Sequence, residues 1–375
     1  MKNRKIMKIE DTSRIVIKIG SSLLFDEETN KLNFDWLVSL AEDVKYLKNL
    51  NKDVIIVSSG AIALGAKDLG INIKEMKLDE NQAISAVGQI HLMSSFKEAF
   101  EKNEFKVSQI LLTLDDTEQR RRSINARRTI DTSLKLGIIP IVNENDTIAT
   151  TEIRYGDNDR LAARVAQIVS ADCLILLSNI NGLYSSDPKD DEEIKLISEV
   201  TDIDENIEKM VGNSISDYGK GGMKTKIMAA KTALSAGCHL AITNGTIKNP
   251  VQALFNGRPC TWFNPSKTPL AARKQWIVGT MKPVGSITID AGAIEALKKG
   301  SSLLPAGIKN IQGNFDRGDV IEIMSESSEK IAIGLAGYSA EDSNAIKGHK
   351  SDEIAKILSY SHREEMIHKD DLVLI

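Results

Sequence analysis

The chain has 375 residues, 42% hydrophobic and 27% charged, which is material for one very large domain or two ordinary ones. Its net charge of −4 implies no general attraction for nucleic acid or anionic membrane, and three scattered cysteines (Cys173, Cys238, Cys260) suggest neither a disulfide frame nor a zinc knuckle. Residues 1–10 are charged with no apolar stretch behind them, and no apolar run approaches the roughly 18 residues of a membrane span, so a cytoplasmic protein is expected.

From about residue 13 to 265 buried strands alternate with amphipathic helices. Continuous apolar runs at residues 15–19, 54–57, 110–112, 138–142, 173–177 and 240–243 predict strands covered on both faces. Between them, Phe34, Leu37, Val38, Leu40, Ala41, Val44 and Leu47 form one helical stripe, and residues 81–100 repeat the pattern. The expected class is α/β, a three-layer αβα sandwich around a mainly parallel sheet. Four prolines (Pro250, Pro259, Pro265, Pro269) then break the rhythm, and residues 266–281 read as a linker. Beyond it, short strands at 285–289, 320–324 and 330–335 with one short helix at 293–299 predict a small, mostly β module over 282–375. Residues 371–375 alternate weakly and are a candidate final strand.

Chemistry-bearing loops follow the strands, where open α/β sheets place their sites. Lys18-Ile19-Gly20-Ser21-Ser22 ends the first strand; glycine lets backbone N–H groups approach an anion, although a plain lysine before a turn fits too. Ser58-Ser59-Gly60-Ala61 follows the second and opens a helix, which suits an anion or simply a cap. Asn143-Glu144-Asn145-Asp146, and ten residues later Gly156-Asp157-Asn158-Asp159, combine carboxylates with carboxamides. Such loops can hold both ends of a zwitterionic amino acid, and they also suit turns and N-caps. Ser178-Asn179 and the polar run to Pro188 are weak candidates for gripping a nucleotide. Tyr218-Gly219-Lys220-Gly221-Gly222-Met223-Lys224-Thr225-Lys226 places dense glycine before a helix, as a phosphate cradle requires, but does not match a Walker loop. The absence of Gly-x-Gly-x-x-Gly after the first strand argues against a dinucleotide-binding dehydrogenase.

In this order and spacing the loops resemble the amino-acid kinase family. Val57 to Ala63, Ala86-Val87-Gly88-Gln89, Val142 to Asp146, Gly156 to Asp159, Gly182-Leu183-Tyr184 with Asp187-Pro188, and Gly221 to Lys226 narrow it to the branch that phosphorylates glutamate. Gly300 to Pro305 and Gly313 to Gly318 resemble the PUA domain that such kinases append, here 282–375 after a kinase domain of 1–265. The resemblance implies ATP-dependent phosphorylation of the γ-carboxylate of L-glutamate, the first step of proline synthesis, with Mg²⁺ bound to the nucleotide. By motif it implies that Ser59, Asp146 and Asn158 bind glutamate and that Lys18 neutralises phosphate charge. Ser178, Asn179 and Lys220, Gly221, Gly222, Met223, Lys224, Thr225 and Lys226 would line the ATP site, with Asp159 orienting Lys18 and Lys226. Within the glutamate set, Asp146 is the candidate for the α-ammonium, and Ser59 and Asn158 for glutamate oxygens. Two departures fall on the nucleotide side: Asn179 where the family commonly has aspartate, and Lys220 where it often has threonine.

The resemblance also implies a homo-oligomer (dimer or tetramer), proline as feedback inhibitor and a glutamyl-phosphate reductase as partner. An ionised carboxylate acceptor needs no general base, so few histidines are no obstacle. RNA is not an expected partner: residues 281–375 carry eleven Lys/Arg against fifteen Asp/Glu, and the arginines at 120–122 and 127–128 sit beside Asp115, Asp116 and Glu118. A sister kinase acting on aspartate, N-acetylglutamate or UMP is one alternative, and an RNA-associated regulator with a degenerate kinase domain is another.

Overall fold

Runs of Ile, Val and Leu that are apolar at every position need cover on both faces, and here they build the centre of one sheet. In the computed structural model the described residues are 7–26, 31–72, 76–149, 158–185, 194–210, 222–279, 282–358 and 364–375. Among them, residues 1–269 and 270–375 form two units.

The strands of the first unit are β1 Arg14–Ile19, β2 Phe25–Asp26, β3 Lys31–Leu32, β4 Asp53–Val57, β5 Val107–Leu112, β6 Ile139–Glu144, β7 Cys173–Ser178, β8 Glu199–Val200, β9 His239–Asn244 and β10 Cys260–Phe263. Eight of them form a sheet in the order β5-β6-β4-β1-β7-β9-β10-β8. The six strands from β5 to β9 run parallel; β10 turns back antiparallel to β9 and carries β8 parallel to itself.

Successive residues of each strand feed opposite cores, as a period of two demands. Ile15, Ile17, Val54, Ile56 and Ile175 pack with Leu37, Leu40 and Val44 of helix Phe34–Asn49 and Phe96 of helix Leu78–Glu101. Val16, Ile55, Val57, Leu174 and Leu176 pack on the other face with Ile130, Leu161, Val165 and Ala230, from helices Arg120–Lys135, Asp159–Ile168 and Met223–Ser235. All ten of these strand residues are fully buried. Each contributes on the order of 1.5–3 kcal/mol through burial, enough to make this register the stable one. The sandwich expected from the strand runs is therefore present.

The proline-rich stretch is more regular than its composition suggests. Pro250 and Pro269 open the helices Pro250–Phe255 and Pro269–Gly279, at the first turn where no intrahelical N–H is needed. The segment read as a linker thus contains a helix, and Arg273 on it pairs with Asp371 through Nε at 2.9 Å and Nη2 at 2.5 Å. Strand β10 lies between these helices and escaped the sequence reading.

In the second unit, β11 Gly285–Ile289, β12 Ile308–Gly313, β13 Val320–Ser325, β14 Lys330–Leu335 and β15 Leu372–Leu374 form a separate sheet in the order β12-β11-β13-β14-β15. Its core is its own, including Ile287, Ile289, Ile321, Ile323, Leu303 and Ile367. The expected helix is present as Ala291–Lys298, capped by Asp290 Oδ1 accepting from the Ala293 N–H at 2.8 Å. Strand β12 and the helices Ala340–Ile346 and Ser351–Leu358 were not foreseen. In β12 only Ile308 and Ile311 are buried, so its sequence does not alternate like a strand.

Candidate active site

Parallel strands bring their carboxyl ends to one edge of a sheet, and that edge assembles the loops singled out above. Lys18 stands level with Val57 on one neighbour and Leu176 on the other, so the ends of β1, β4 and β7 coincide. The chain fills β4 and β6 on one side of β1 before crossing to β7 and β9 on the other. A reversal of this kind opens a crevice. The loops after β4 and β6 line one half of it, those after β7 and β9 the other, and Lys18 sits between.

At the centre is a clasp of three charges. Asp159 is fully buried at the first position of helix Asp159–Ile168. Its Oδ1 lies 2.6 Å from Lys18 Nζ and its Oδ2 3.0 Å from Lys226 Nζ. Lys226 enters from the first turn of helix Met223–Ser235, and both lysines are buried. The Thr225 hydroxyl lies 3.4 Å from Asp159 Oδ2 and donates to the Gly222 carbonyl at 2.7 Å. A carboxylate between two ammonium groups fixes both before any ligand arrives, so their charges are aimed in advance.

The β4 and β6 side is a buried polar cluster. Ser59, 1% exposed, donates its hydroxyl to the Ile19 carbonyl at 3.2 Å, tying the second loop to the first. Gly60 has φ +97°, and a Cβ there would meet the Phe25 ring at 2.9 Å, so this turn requires glycine. Asn158 donates from Nδ2 to the Ser58 carbonyl and, at 2.7 Å, to Asn143 Oδ1. Asn143 in turn donates to Gln89 Oε1 at 2.7 Å. Asp146 is half-buried three residues beyond Asn143. Burial, and then the neighbouring charge of Glu144, raise its carboxyl to about 7.

On the other side, Ser178 is buried at the end of β7 and its hydroxyl donates to Asn179 Oδ1 at 3.4 Å, while Asn179 is exposed. Gly222 and Met223 are half-buried and Lys224 is exposed. Gly156, Asp157, Asp187, Pro188, Lys220 and Gly221 lie outside the described residues. Part of the polar run after β7 is anchored to its neighbours: the Leu183 N–H donates to Thr261 Oγ1 at 2.8 Å, and Asn181 Nδ2 donates to the Tyr184 hydroxyl at 3.3 Å.

The structure therefore brings Lys18, Asp159 and Lys226 together, and places Ser59, Asn158 and Asp146 on loops of one half of the crevice. It adds Gln89 and the Asn143 side chain, neither of which stood among the residues assigned individually to glutamate or ATP. Both stood in the quoted motifs, yet their meeting across 54 residues leaves no local signal.

A sequence profile described as the amino acid kinase family matches residues 13–244, and one described as the PUA domain matches residues 285–358. Glutamate 5-kinase of Paramagnetospirillum magneticum is 51% identical over 361 residues, covering 96% of this chain and 97% of that one. Those of Agrobacterium fabrum and Pelagibacter ubique are 53% and 52% identical, covering 96% and 98% of this chain and 92% and 100% of theirs. Among solved structures, UMP kinase from Ureaplasma parvum aligns at a TM-score of 0.47 and 17% identity, over 68% of this chain and 99% of that one. Family membership rests on the sequence relatives.

Proposed function

The chain belongs to the amino acid kinase family, and from that premise we propose that it phosphorylates the γ-carboxylate of L-glutamate with ATP. A γ-carboxylate oxygen attacks the γ-phosphorus, the bond to the β–γ bridging oxygen breaks, and ADP leaves with that electron pair. The products are L-glutamate 5-phosphate and ADP. The acceptor is already ionised at neutral pH, so no proton has to be removed. The difficulty is bringing one anion against another, and the remedy is positive charge at the transferring group.

The observation that carries this reading is the buried clasp of Lys18, Asp159 and Lys226. Lys18 lies between the two halves of the crevice and meets the phosphoryl group in transfer. Lys226, held by the same carboxylate, stabilises the charge that develops there. Asp159 touches neither substrate first; it keeps the two ammonium groups at fixed spacing. Ser59, Asp146 and Asn158 hold glutamate, and Ser178, Asn179 and the segment 220–226 hold ATP. Among the described residues no three His, Cys, Asp or Glu side chains are gathered as a metal cage. Mg²⁺ bound with the nucleotide would neutralise charge on its phosphate oxygens.

The same reading extends to a cytoplasmic setting, homo-oligomeric assembly as dimer or tetramer, proline as feedback inhibitor and a glutamyl-phosphate reductase that consumes the unstable acyl phosphate. No helix among the described residues is long and apolar enough to cross a membrane. The test is purified protein with ATP, Mg²⁺ and L-glutamate, trapping the acyl phosphate with hydroxylamine, with aspartate and N-acetylglutamate as controls. Hydroxamate dependent on glutamate and nearly absent with the controls is expected. A signal only from another acceptor would reassign the pocket, and none at all would remove the kinase reading.

A further inference from the structure

The carboxamides around Asn158 form a hydrogen-bonded row whose direction is forced by one atom. The Ser58 carbonyl only accepts, so the Asn158 group against it must be Nδ2. That nitrogen donates its second hydrogen to Asn143 Oδ1, and Asn143 Nδ2 then donates to Gln89 Oε1, each at 2.7 Å. Turning over any single amide would set two N–H groups, or two oxygens, face to face. Ser58 is 0%, Asn143 2%, Asn158 2% and Gln89 9% exposed, so water is poorly placed to repair such a mismatch.

Asn158 stands at a helix terminus. It immediately precedes helix Asp159–Ile168, where an asparagine ordinarily turns its Oδ1 back onto the first N–H groups. It makes no side-chain cap bond there. The amide has given up the cap for the row. With both N–H groups committed, Oδ1 is the atom Asn158 has to offer a substrate. An amide oxygen accepts from an ammonium and cannot bond a carboxylate oxygen.

We propose that Gln89 is a positioning residue: the Ser58 carbonyl sets which way the Asn158 amide is turned, and Gln89, by accepting from Asn143, fixes where the Asn143 carboxamide stands and so the position from which Asn158 Oδ1 meets the α-ammonium of the substrate. The site then selects a free amino group through Asn158 as well as Asp146. Asn158 moves from the glutamate oxygens, where motif carry-over put it, to the opposite end of the amino-acid head. This inference rests on the glutamate kinase reading, and wild-type protein that makes no glutamate hydroxamate would sink that reading, not the row.

The test compares full-length Gln89→Met, which keeps the side-chain volume but loses the carboxamide acceptor, with Gln89→Glu, which keeps an acceptor. Gln89→Met is expected to raise the glutamate KM about tenfold, the size of one lost buried hydrogen bond, with kcat and the ATP KM close to wild type. Gln89→Glu is expected to restore most of the loss. Glutarate, the same diacid without the amino group, should bind Gln89→Met and wild type equally in calorimetric titrations. An unchanged glutamate KM, an equal loss for glutarate, or equal damage in both variants would overturn the proposal. Should Gln89→Met fail to fold by circular dichroism, Gln89→Asn repeats the test, because its amide is one methylene too short to reach Asn143. The same split between glutamate and glutarate is expected there, and its absence overturns the proposal equally.

Discussion

Lys226 shares the Asp159 carboxylate with Lys18. On the proposed mechanism, replacing Lys226 with alanine would leave Lys18 to face the transferring group alone. The expected loss is about 10²-fold or more in kcat, the usual scale for one transition-state electrostatic group. Hydroxamate assays at saturating substrates check this, and wild-type-like turnover would take Lys226 out of the mechanism. Asp146 should make glutamate binding depend on pH. Its carboxyl is raised to about 7, so the neutral form accumulates as the pH falls through that value. Only the ionised form pairs with an ammonium. The glutamate KM should therefore rise as the pH drops from about 8 to about 6, while kcat at saturation stays level. Asp146→Asn should show a raised KM with no such slope; a slope that survives the substitution would assign the titration elsewhere.

At the scale of elements, two helices approach each other closely beside the site. A Cβ on Gly88 would fall 1.8 Å from the Ala61 carbonyl, and one on Gly65 would fall 1.9 Å from the Ile84 carbonyl. Helices Ala61–Asp68 and Leu78–Glu101 thus cross backbone to backbone, immediately after the Ser59 loop and immediately before Gln89. Gly88→Ala has to push them apart, at roughly 1–3 kcal/mol. A lower melting temperature together with a raised glutamate KM is the expected result. A change in melting alone would show that the crossing supports the fold but not the pocket. The arginine-rich helix Arg120–Lys135 is a simpler case: Arg122 pairs with Asp116 at 2.9 Å and Arg127 with Asp131 at 3.5 Å, so acidic neighbours offset part of its charge.

For the molecule as a whole, the two units have separate cores, and among the described residues none belongs to both. Ile323 is fully buried in the second core, and Ile323→Ala is expected to cost about 2–5 kcal/mol there. Calorimetry should show the C-terminal transition moved down, while thermal inactivation of glutamate phosphorylation keeps its midpoint. Inactivation that shifts in step would mean that the second unit supports the first during catalysis.

Much of this was decided locally and could be read from the sequence. Strand positions followed from uninterrupted apolar runs, which no other buried element of that length explains so well, and the clasp residues stood in recognisable loops. Pro250 and Pro269 misled because proline signals a break without saying whether a helix ends or begins there. Strand β12 was missed because an edge strand buries only two of its six residues. The row from Gln89 through Asn143 and Asn158 to Ser58 belongs to tertiary structure alone. Its members come from a helix, a strand, a helix terminus and a turn, and hydrogen-bond polarity along it exists only once those four are packed together. Residue identity set which atoms were available; the fold decided which of them the row commits.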